Sequence, residues 1–290
     1  MPIKFGANDV GKAHLGAAEL SQIYLGSIPI LEGSGPEEPV LPPVTDGLVE
    51  YIDCGVYQSW DALNRNFIDL AGDGSLIYTE GSTDEWIDPV GVAPDSGRDV
   101  SKFFAPGGVD AECRWSARTT FNEQLQWRAS TFTAVIVIGL PASTNAGVLL
   151  SSGEAGEVGI NIWARDDGIR VTRRWAGGGP NRVDSSFLIT GPWDNDPASA
   201  KIITYATDND DDNPDGSFVK INGHARVDAN PFNSNTTQND SALFYGIGHG
   251  RVQEKLPVEA KIYASLLYNR KLSDAEVSLL ENFFLTYLSA

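Results

Sequence analysis

The chain has 290 residues, with 39 Asp and Glu against 21 Lys and Arg, which gives a formal net charge of −18. A chain of this length buries a core without needing disulfides or a structural metal. Its negative charge repels phosphate backbones and anionic lipid headgroups, so we expect neither nucleic acid nor a membrane as a partner.

The first residues, MPIKFG, lack the charged-then-apolar layout of a secretion signal. No apolar run in the sequence approaches the length that spans a bilayer. We therefore expect a soluble protein that is synthesised in the cytoplasm, even if it later acts elsewhere.

A tandem repeat with a ten-residue period occupies the first thirty residues. Its two copies are KAHLGAAEL at 12–20 and QIYLGSIPI at 22–30. Each copy predicts two short strands that meet at Leu-Gly, because glycine readily takes the positive φ of a tight turn. An isolated hairpin is marginal in water. We therefore expect residues 1–31 to form a module that gains order on a partner; the alternative is a hairpin packed on the rest of its own chain.

The Leu-Gly units of this repeat resemble a short module at the N-termini of tailed-phage virion proteins. Such proteins include fibres, spikes and decoration proteins, among them those of phage-like gene transfer particles. The resemblance implies that the module docks the protein to other virion proteins. The attachment residues that it implies are Leu15, Gly16, Tyr24, Leu25 and Gly26.

A proline-rich stretch, EGSGPEEPVLPPVTD, follows at 32–46. Proline has no backbone N–H and favours an extended chain, so this stretch predicts a semi-rigid linker rather than a strand. The domain boundary falls here, with a β-sandwich over residues 47–290.

From residue 47 onward, apolar β-rich runs alternate with turns of Gly, Asp, Asn and Pro, a pattern typical of an antiparallel sandwich. The predicted strands cover residues 47–53, 131–140, 147–151, 158–164, 168–175, 201–207, 217–221, 242–247 and 257–268. One helix is predicted near the C-terminus. Ser273 and Glu276 form a capping box before an apolar stripe at helical spacing: Val277, Leu280, Phe284 and Leu288.

Five stretches resemble the concanavalin A-like superfamily, in particular its laminin-G-like lectins and glucanase jelly rolls. They are LVEYID at 48–53, FIDLAGDG at 67–74, TFTAVIV at 131–137, VKING at 219–223 and IYASLLYNRKLSDAE at 262–276. In the fourth stretch, Asn222-Gly223 favours a two-residue type I′ turn. The resemblance implies an all-β chain: a concanavalin A-like jelly-roll β-sandwich with one C-terminal helix, preceded by the small β-hairpin repeat module.

Glucanases on this fold carry acidic residues as Glu-x-Asp-x-x-Glu on one strand, and no such string exists here. Glu85 and Asp88 are three residues apart and would face opposite sides of a strand. There is also no Gly-x-Ser-x-Gly and no Gly-Lys-Ser/Thr loop. We therefore expect no catalytic residues and no enzyme, with a glycosidase that draws its carboxylates from several strands as an alternative.

Two cysteines, Cys54 and Cys113, are too far apart in sequence to suggest a cysteine-based zinc site. We interpret both as small buried hydrophobic residues rather than catalytic thiols. A disulfide between them is the alternative.

The densest acidic cluster is DNDDDNPDG at 208–216. Within it, Asp211, Asn213 and Asp215 match the first half of a calcium loop, because oxygen ligands suit this cation. The second half fails, since Asn222 stands where a bidentate Glu belongs. We therefore expect no cofactor and interpret the cluster as a solvated acidic turn, with calcium bound at these three residues as the alternative.

Seven tryptophans supply material for sugar stacking, because a pyranose offers an apolar face to an indole. Trp175 precedes the glycine run that ends at Arg182, and Trp193 is followed by Asp194 and Asn195. We predict carbohydrate binding at these five residues; for any single tryptophan, a place in the core is the competing interpretation.

Together, these patterns predict a structural virion protein on the surface of a phage or phage-like particle, made in the host cytoplasm. Its N-terminus anchors it, its lectin-like sandwich binds host-surface polysaccharide, and we expect a homo-oligomer. The alternatives are a purely structural decoration protein that binds no glycan and a polysaccharide-degrading glycosidase.

Overall fold

A computed structural model gives the fold. By number, it describes residues 4–5, 8–9, 13–15, 18–20, 22–25, 28–32, 41–56, 59–61, 66–71, 76–80, 114–116, 131–140, 147–151, 159–165, 168–174, 183–187, 200–207, 218–228, 246–247 and 260–288. The chain divides into two compact units, Met1–Val40 and Leu41–Ala290. No helix in the described part of the chain is long and apolar enough to cross a membrane.

The described residues of the first unit form three hairpins rather than the two that the repeat predicts. Each hairpin pairs two short antiparallel strands separated by two residues. The strands are β1 (Lys4–Phe5), β2 (Asn8–Asp9), β3 (Ala13–Leu15), β4 (Ala18–Leu20), β5 (Gln22–Leu25) and β6 (Ile28–Glu32). The additional hairpin, β1–β2, has its Phe5-Gly6 ten residues before Leu15-Gly16, so it continues the same period toward the N-terminus.

The second unit contains fifteen described strands and one helix, α1 (Asp274–Leu288). The strands are β7 (Leu48–Asp53), β8 (Trp60–Asp61), β9 (Asn66–Ile68), β10 (Leu76–Glu80), β11 (Arg114–Ser116), β12 (Phe132–Gly139), β13 (Gly147–Ser151), β14 (Gly159–Arg165), β15 (Gly168–Arg174), β16 (Val183–Phe187), β17 (Lys201–Thr207), β18 (Phe218–Ile221), β19 (Val227–Asp228), β20 (Gly246–Ile247) and β21 (Lys261–Tyr268).

These strands form two antiparallel sheets. The six-stranded sheet has the order β19-β18-β17-β12-β21-β7, and the nine-stranded sheet has the order β16-β15-β14-β13-β20-β11-β10-β9-β8. Neighbours in both sheets are often far apart in sequence, as in β7 beside β21. The mostly β architecture with one C-terminal helix agrees with the predicted fold class.

Strand β12 runs through the centre of the six-stranded sheet. All eight of its residues are buried, as its continuous apolar sequence FTAVIVIG predicts. Its pairing places Val135 and Val137 on one face, with Ile202 of β17 and Leu266 of β21. We call this the helix face, because these residues share a buried cluster with Leu280 and Phe284 of α1.

Helix α1 begins with the predicted capping box. The Ser273 N–H donates to Glu276 Oε2 at 2.8 Å, and the Glu276 N–H donates back to Ser273 Oγ at 3.3 Å. A further polar contact joins the helix to the sheet, where Lys220 Nζ lies 2.8 Å from Glu281 Oε2. Val277, Leu280 and Phe284 of the predicted stripe are buried. The side chain of Leu288 lies outside the described residues.

Residues 41–46 pack with the sandwich, although their proline content predicts a linker. Pro42 and Val44 are buried while the residues between and beside them are exposed. This alternation is that of an extended segment with one side on the core. The Tyr268 hydroxyl fixes the segment by donating to the Val44 carbonyl at 3.0 Å.

Several short strands lie where no strand is predicted. They are Trp60–Asp61, Asn66–Ile68, Leu76–Glu80, Arg114–Ser116, Val183–Phe187 and Val227–Asp228. Most have two or three residues, too few for an alternation of apolar and polar residues to be recognised. Elsewhere the bounds shift by a few residues, and β21 begins at Lys261 instead of residue 257.

Candidate functional site

The six-stranded sheet has two ends with different roles in the chain. At one end lie Leu48, Tyr268 and Arg270, where the chain passes from residues 41–46 into β7. At the other end lie Lys201, Asn222 and Lys261, where β17 and β21 begin and β18 has just ended. We call these the Arg270 end and the Asn222 end. Strand β12, which connects them, has eight residues, a span of about 25 Å at ~3.3 Å per residue.

Asn222 organises the Asn222 end through its side chain. Its Oδ1 accepts a hydrogen bond from the Ile202 N–H at 2.8 Å, and its Nδ2 donates to the Ala200 carbonyl at 3.2 Å. The amide group therefore pairs with the start of β17 as a further strand residue would. As a result, the point at which the chain enters β17 from the preceding segment is held against the β18 turn.

The turn after β18 is exposed to solvent. The His224 N–H donates to the Ile221 carbonyl at 2.9 Å, and Gly223 takes a φ of 77°. The predicted Asn-Gly turn is therefore present, but the strand ladder resumes only at Val227, which pairs with Val219. The intervening residues from Gly223 to Arg226 are exposed, so this hairpin has a longer loop than the predicted two-residue turn.

Arg226, at the end of this loop, makes structural contacts. Its Nε donates to Asp228 at 2.6 Å and its Nη1 donates to Asp274 at 3.0 Å. Its guanidinium carbon also lies 4.1 Å from the centre of the Phe218 ring. These partners raise the pKa of Arg226 against the opposing effect of burial. His224 is thus the exposed side chain of this loop with donor and acceptor atoms suited to a ligand.

The predicted carbohydrate-binding residues Trp175, Arg182, Trp193, Asp194 and Asn195 lie outside the described residues. The strands that flank them are described. Residues 175–182 connect β15 to β16 at the end of the ladder where Arg173 pairs with Val183. The segment that holds Trp193 leaves β16 after Phe187, which pairs with Ile169 at the opposite end of the same ladder.

This register separates the starting points of the two predicted binding segments. Four ladder steps lie between the Arg173 and Ile169 pairs, a distance of roughly 13 Å. The segment with Trp193 then runs to Ala200, whose carbonyl Asn222 holds at the Asn222 end. Of the described residues that flank the two segments, Ala200, which follows the Trp193 segment, is the one held at the Asn222 end.

The other predicted sites are only partly described. Asp211, Asn213 and Asp215 lie outside the described residues, in the connection from Thr207 to Phe218 at the Arg270 end. Among the described residues, no group of three acidic, histidine or cysteine side chains could hold a metal. Cys54 is buried, as predicted; Cys113 is not described.

The predicted attachment residues fall in the hairpins of the first unit. Leu15 pairs with Ala18, and Leu25 pairs with Ile28, so each precedes its two-residue connection. Tyr24 pairs with Pro29. Gly16 and Gly26 stand in the connections themselves and lie outside the described residues.

Three buried carboxyl groups on and beside β7 are absent from the sequence prediction. Asp53 accepts from the Tyr51 hydroxyl at 2.8 Å, and Asp69 accepts from the Tyr51 N–H at 2.8 Å. Glu50 is fully buried, and its Oε1 lies 3.5 Å from Ser265 Oγ. Burial, and next the negative charge of Asp69, raise the pKa of Glu50 well above its usual range.

The surroundings of these three carboxyl groups indicate a role in the structure of the sandwich. Glu50 and Asp53 are three residues apart on β7 and so project to opposite faces of the strand. Both are fully buried and Asp69 is 4% exposed, which leaves this set without the open cleft that an acid and nucleophile pair requires.

Comparison with solved structures supports the fold. The binding domain of botulinum neurotoxin DC, in complex with SialylT, superposes with a TM-score of 0.54 at 13% identity, over 83% of this chain and 52% of the toxin chain. A structure of botulinum neurotoxin type C, whose description names an interaction with two ganglioside molecules, gives 0.51 at 12% identity over 83% and 52%. Trypanosoma rangeli sialidase in complex with sialic acid gives 0.50 at 17% identity over 86% and 35%.

The chain spans about half the length of the neurotoxin chains that it matches. At these identities the likeness concerns the fold, and the fold is the predicted lectin-like β-sandwich. No protein-family model matches the sequence, and no curated protein matches it.

Proposed function

We propose that the sandwich is a carbohydrate-binding domain that contacts host-surface polysaccharide. The observation that carries this proposal is the likeness of its fold to toxin domains and a sialidase that are described with SialylT, ganglioside molecules or sialic acid. Its strong negative charge disfavours nucleic acid as the ligand. In this proposal the domain binds glycan without cleaving it, and the burial of Glu50, Asp53 and Asp69 supports a structural rather than a catalytic role for these three carboxyl groups.

The binding surface in this proposal is the Asn222 end. The chain enters the sandwich at the Arg270 end, whereas the exposed loop that carries His224 lies at the Asn222 end. The contacts in this proposal are stacking on Trp193 and hydrogen bonds between hydroxyl groups and Asp194, Asn195 and His224. Of these four residues, the structure describes His224. Trp175 and Arg182, in the connection between β15 and β16, provide a second contact in this proposal.

The wider role in this proposal is that of a virion protein of a phage or phage-like particle: a fibre, spike or decoration protein on the particle surface. The hairpin unit anchors the chain to other virion proteins. The hairpins form a compact unit distinct from the sandwich, which supports assigning anchoring to one unit and glycan binding to the other.

Two measurements on the same preparations test the proposal. Deletion of residues 1–31 should abolish incorporation into particles while leaving polysaccharide binding and the melting temperature of the sandwich intact. Normal incorporation of the truncated chain would show that anchoring lies elsewhere. Release of reducing sugar by the full chain would favour the glycosidase, and a folded chain that binds no glycan would favour a purely structural decoration protein.

A further inference from the structure

The third hairpin, β5–β6, has two edges of different character. Strand β5 pairs with β6 through Leu25 with Ile28 and Tyr24 with Pro29. Antiparallel pairs alternate between those that exchange two hydrogen bonds and those that exchange none. Because Pro29 has no N–H, its pair with Tyr24 is of the second kind. The backbone N–H and C=O of Tyr24 therefore point away from β6, toward the free edge of β5.

The opposite edge is closed to a further strand. At Pro29 the position that points away from β5 lacks a donor, and proline on an edge strand blocks strand addition. Among the described strands, β5 pairs only with β6. A hairpin of two strands is marginal in water and gains stability from a third, and the β5 edge is the side that can accept one.

The other two hairpins carry charge at the equivalent position. Lys4 pairs with Asp9 in the first hairpin and His14 pairs with Glu19 in the second. Ionisable residues on edge strands discourage pairing with another chain. The third hairpin has Tyr24 and Pro29 there instead, so β5, Gln22–Leu25, is the one strand of the six described in this unit without Asp, Glu, His or Lys.

Charge also favours a second copy of this chain as the occupant of that edge. Residues 1–32 contain two lysines against three acidic residues, so nearly all of the net charge of −18 lies in the rest of the chain. Two modules can therefore approach each other with little repulsion. The edge is also self-complementary, because two identical strands that run antiparallel about a two-fold axis exchange backbone hydrogen bonds symmetrically.

We propose that the edge of β5, Gln22–Leu25, pairs with β5 of a second copy and forms a closed homodimer. The pairing extends the hairpins of two chains into one four-stranded sheet. Pro29 then lies on both outer edges of that sheet and stops further growth. This inference is independent of glycan binding by the sandwich.

Sedimentation equilibrium of the full chain tests the proposal. The wild-type protein should be a dimer in reversible equilibrium with monomer. Tyr24→Pro removes the N–H at the free edge, at a position whose register partner is already a proline, and should raise the dimer dissociation constant by about tenfold to a hundredfold. Tyr24→Ala keeps the N–H and should have the smaller effect. A monomeric wild type, or an unchanged dissociation constant in Tyr24→Pro, would overturn the proposal.

The reverse change provides a second test that does not depend on losing structure. Pro29→Ala restores an outward N–H on the closed edge, so assemblies larger than the dimer should form and increase with protein concentration. If Pro29→Ala remains a dimer, Pro29 does not limit the assembly and the proposed geometry is wrong. An unchanged thermal melt of the sandwich in all three variants serves as the folding control.

Discussion

The Arg270 guanidinium donates two hydrogen bonds to the Glu276 carboxylate, from Nη1 at 3.1 Å and from Nη2 at 2.6 Å. The same guanidinium donates through Nε to the backbone carbonyl of Asp46 at 2.9 Å. Glu276 in turn accepts from the Ser273 N–H. One side chain therefore joins the segment that enters the sandwich to the first turn of α1.

Arg270→Ala should destabilise the sandwich, because it leaves the Glu276 carboxylate and the Asp46 carbonyl without this donor. Hydrogen bonds to charged groups contribute about 1.5–3 kcal/mol each, less where solvent competes. We expect a loss of about 1–3 kcal/mol in urea unfolding. Arg270→Lys keeps the charge without the paired geometry and should recover only part of the loss. Equal stability of Arg270→Ala and wild type would contradict the assigned role.

Acid should weaken this junction at a defined pH. The hydrogen bonds from Arg270, and next that from the Ser273 N–H, lower the pKa of Glu276 to about 2. A carboxyl group whose pKa is lowered on folding stabilises the native state above its unfolded pKa, and this contribution is lost as the pH falls toward 2. Glu276→Gln should therefore cost stability at pH 7 and much less at pH 2. A cost that does not change with pH would refute the assignment.

Glu50 should show the opposite pH dependence. Its pKa is raised by burial and by Asp69, so its contribution to stability is fully present below the unfolded pKa and is lost as the pH rises through the folded pKa. Glu50→Gln should flatten the decline in the unfolding free energy as the pH rises above 4.5, the usual pKa of a Glu carboxyl group, and should be relatively more stable at the alkaline end. Parallel stability curves for Glu50→Gln and wild type would show that Glu50 does not change its proton affinity on folding.

Phe284→Ala should test the packing of α1 on the helix face. Phe284 is fully buried, and its ring meets that of Phe283 edge-on with 5.1 Å between centres. Truncation of a buried Phe typically costs about 3–5 kcal/mol. Leu279, on the same helix, is 51% exposed, so Leu279→Ala is the matched control and should change stability by less than about 0.5 kcal/mol. Similar melts for both variants would mean that α1 is not part of the core.

The sequence predicts the central strand and the helix of the sandwich, but it does not predict the packing of residues 41–46 or the short strands. The reasons are physical. Strand β12 has a continuous apolar sequence, and helix α1 has a capping box followed by an apolar stripe. Both patterns can be recognised because these elements must place apolar side chains in the core. Residues 41–46 contain the prolines of a spacer, yet an extended chain also packs on a core, and composition alone cannot distinguish the two. The hairpin β1–β2 was detectable from the sequence, because Phe5-Gly6 continues the ten-residue period.

The candidate site is less predictable than the core. The Asn222 side chain forms hydrogen bonds with the backbone of Ala200 and Ile202. These two segments are neighbours only because of the strand order in the sheet. The sequence predicts one carbohydrate-binding surface from Trp175, which precedes a glycine run that ends at Arg182, and from Trp193, which is followed by Asp194 and Asn195. The β15–β16 register shows that their segments start at opposite ends of a ladder, and register is not visible in a single sequence.

Titration of purified host-surface polysaccharide onto the immobilised full chain tests the central claim most directly. The account predicts saturable binding that free polysaccharide fragments compete away, and a several-fold loss of affinity in Trp193→Ala with an unchanged melting temperature. Trp175→Ala, at the other end of the β15–β16 ladder, should have the smaller effect. Absence of saturable binding by the folded full chain, across a panel of neutral and acidic polysaccharides, would contradict the assignment of the sandwich as a carbohydrate-binding domain.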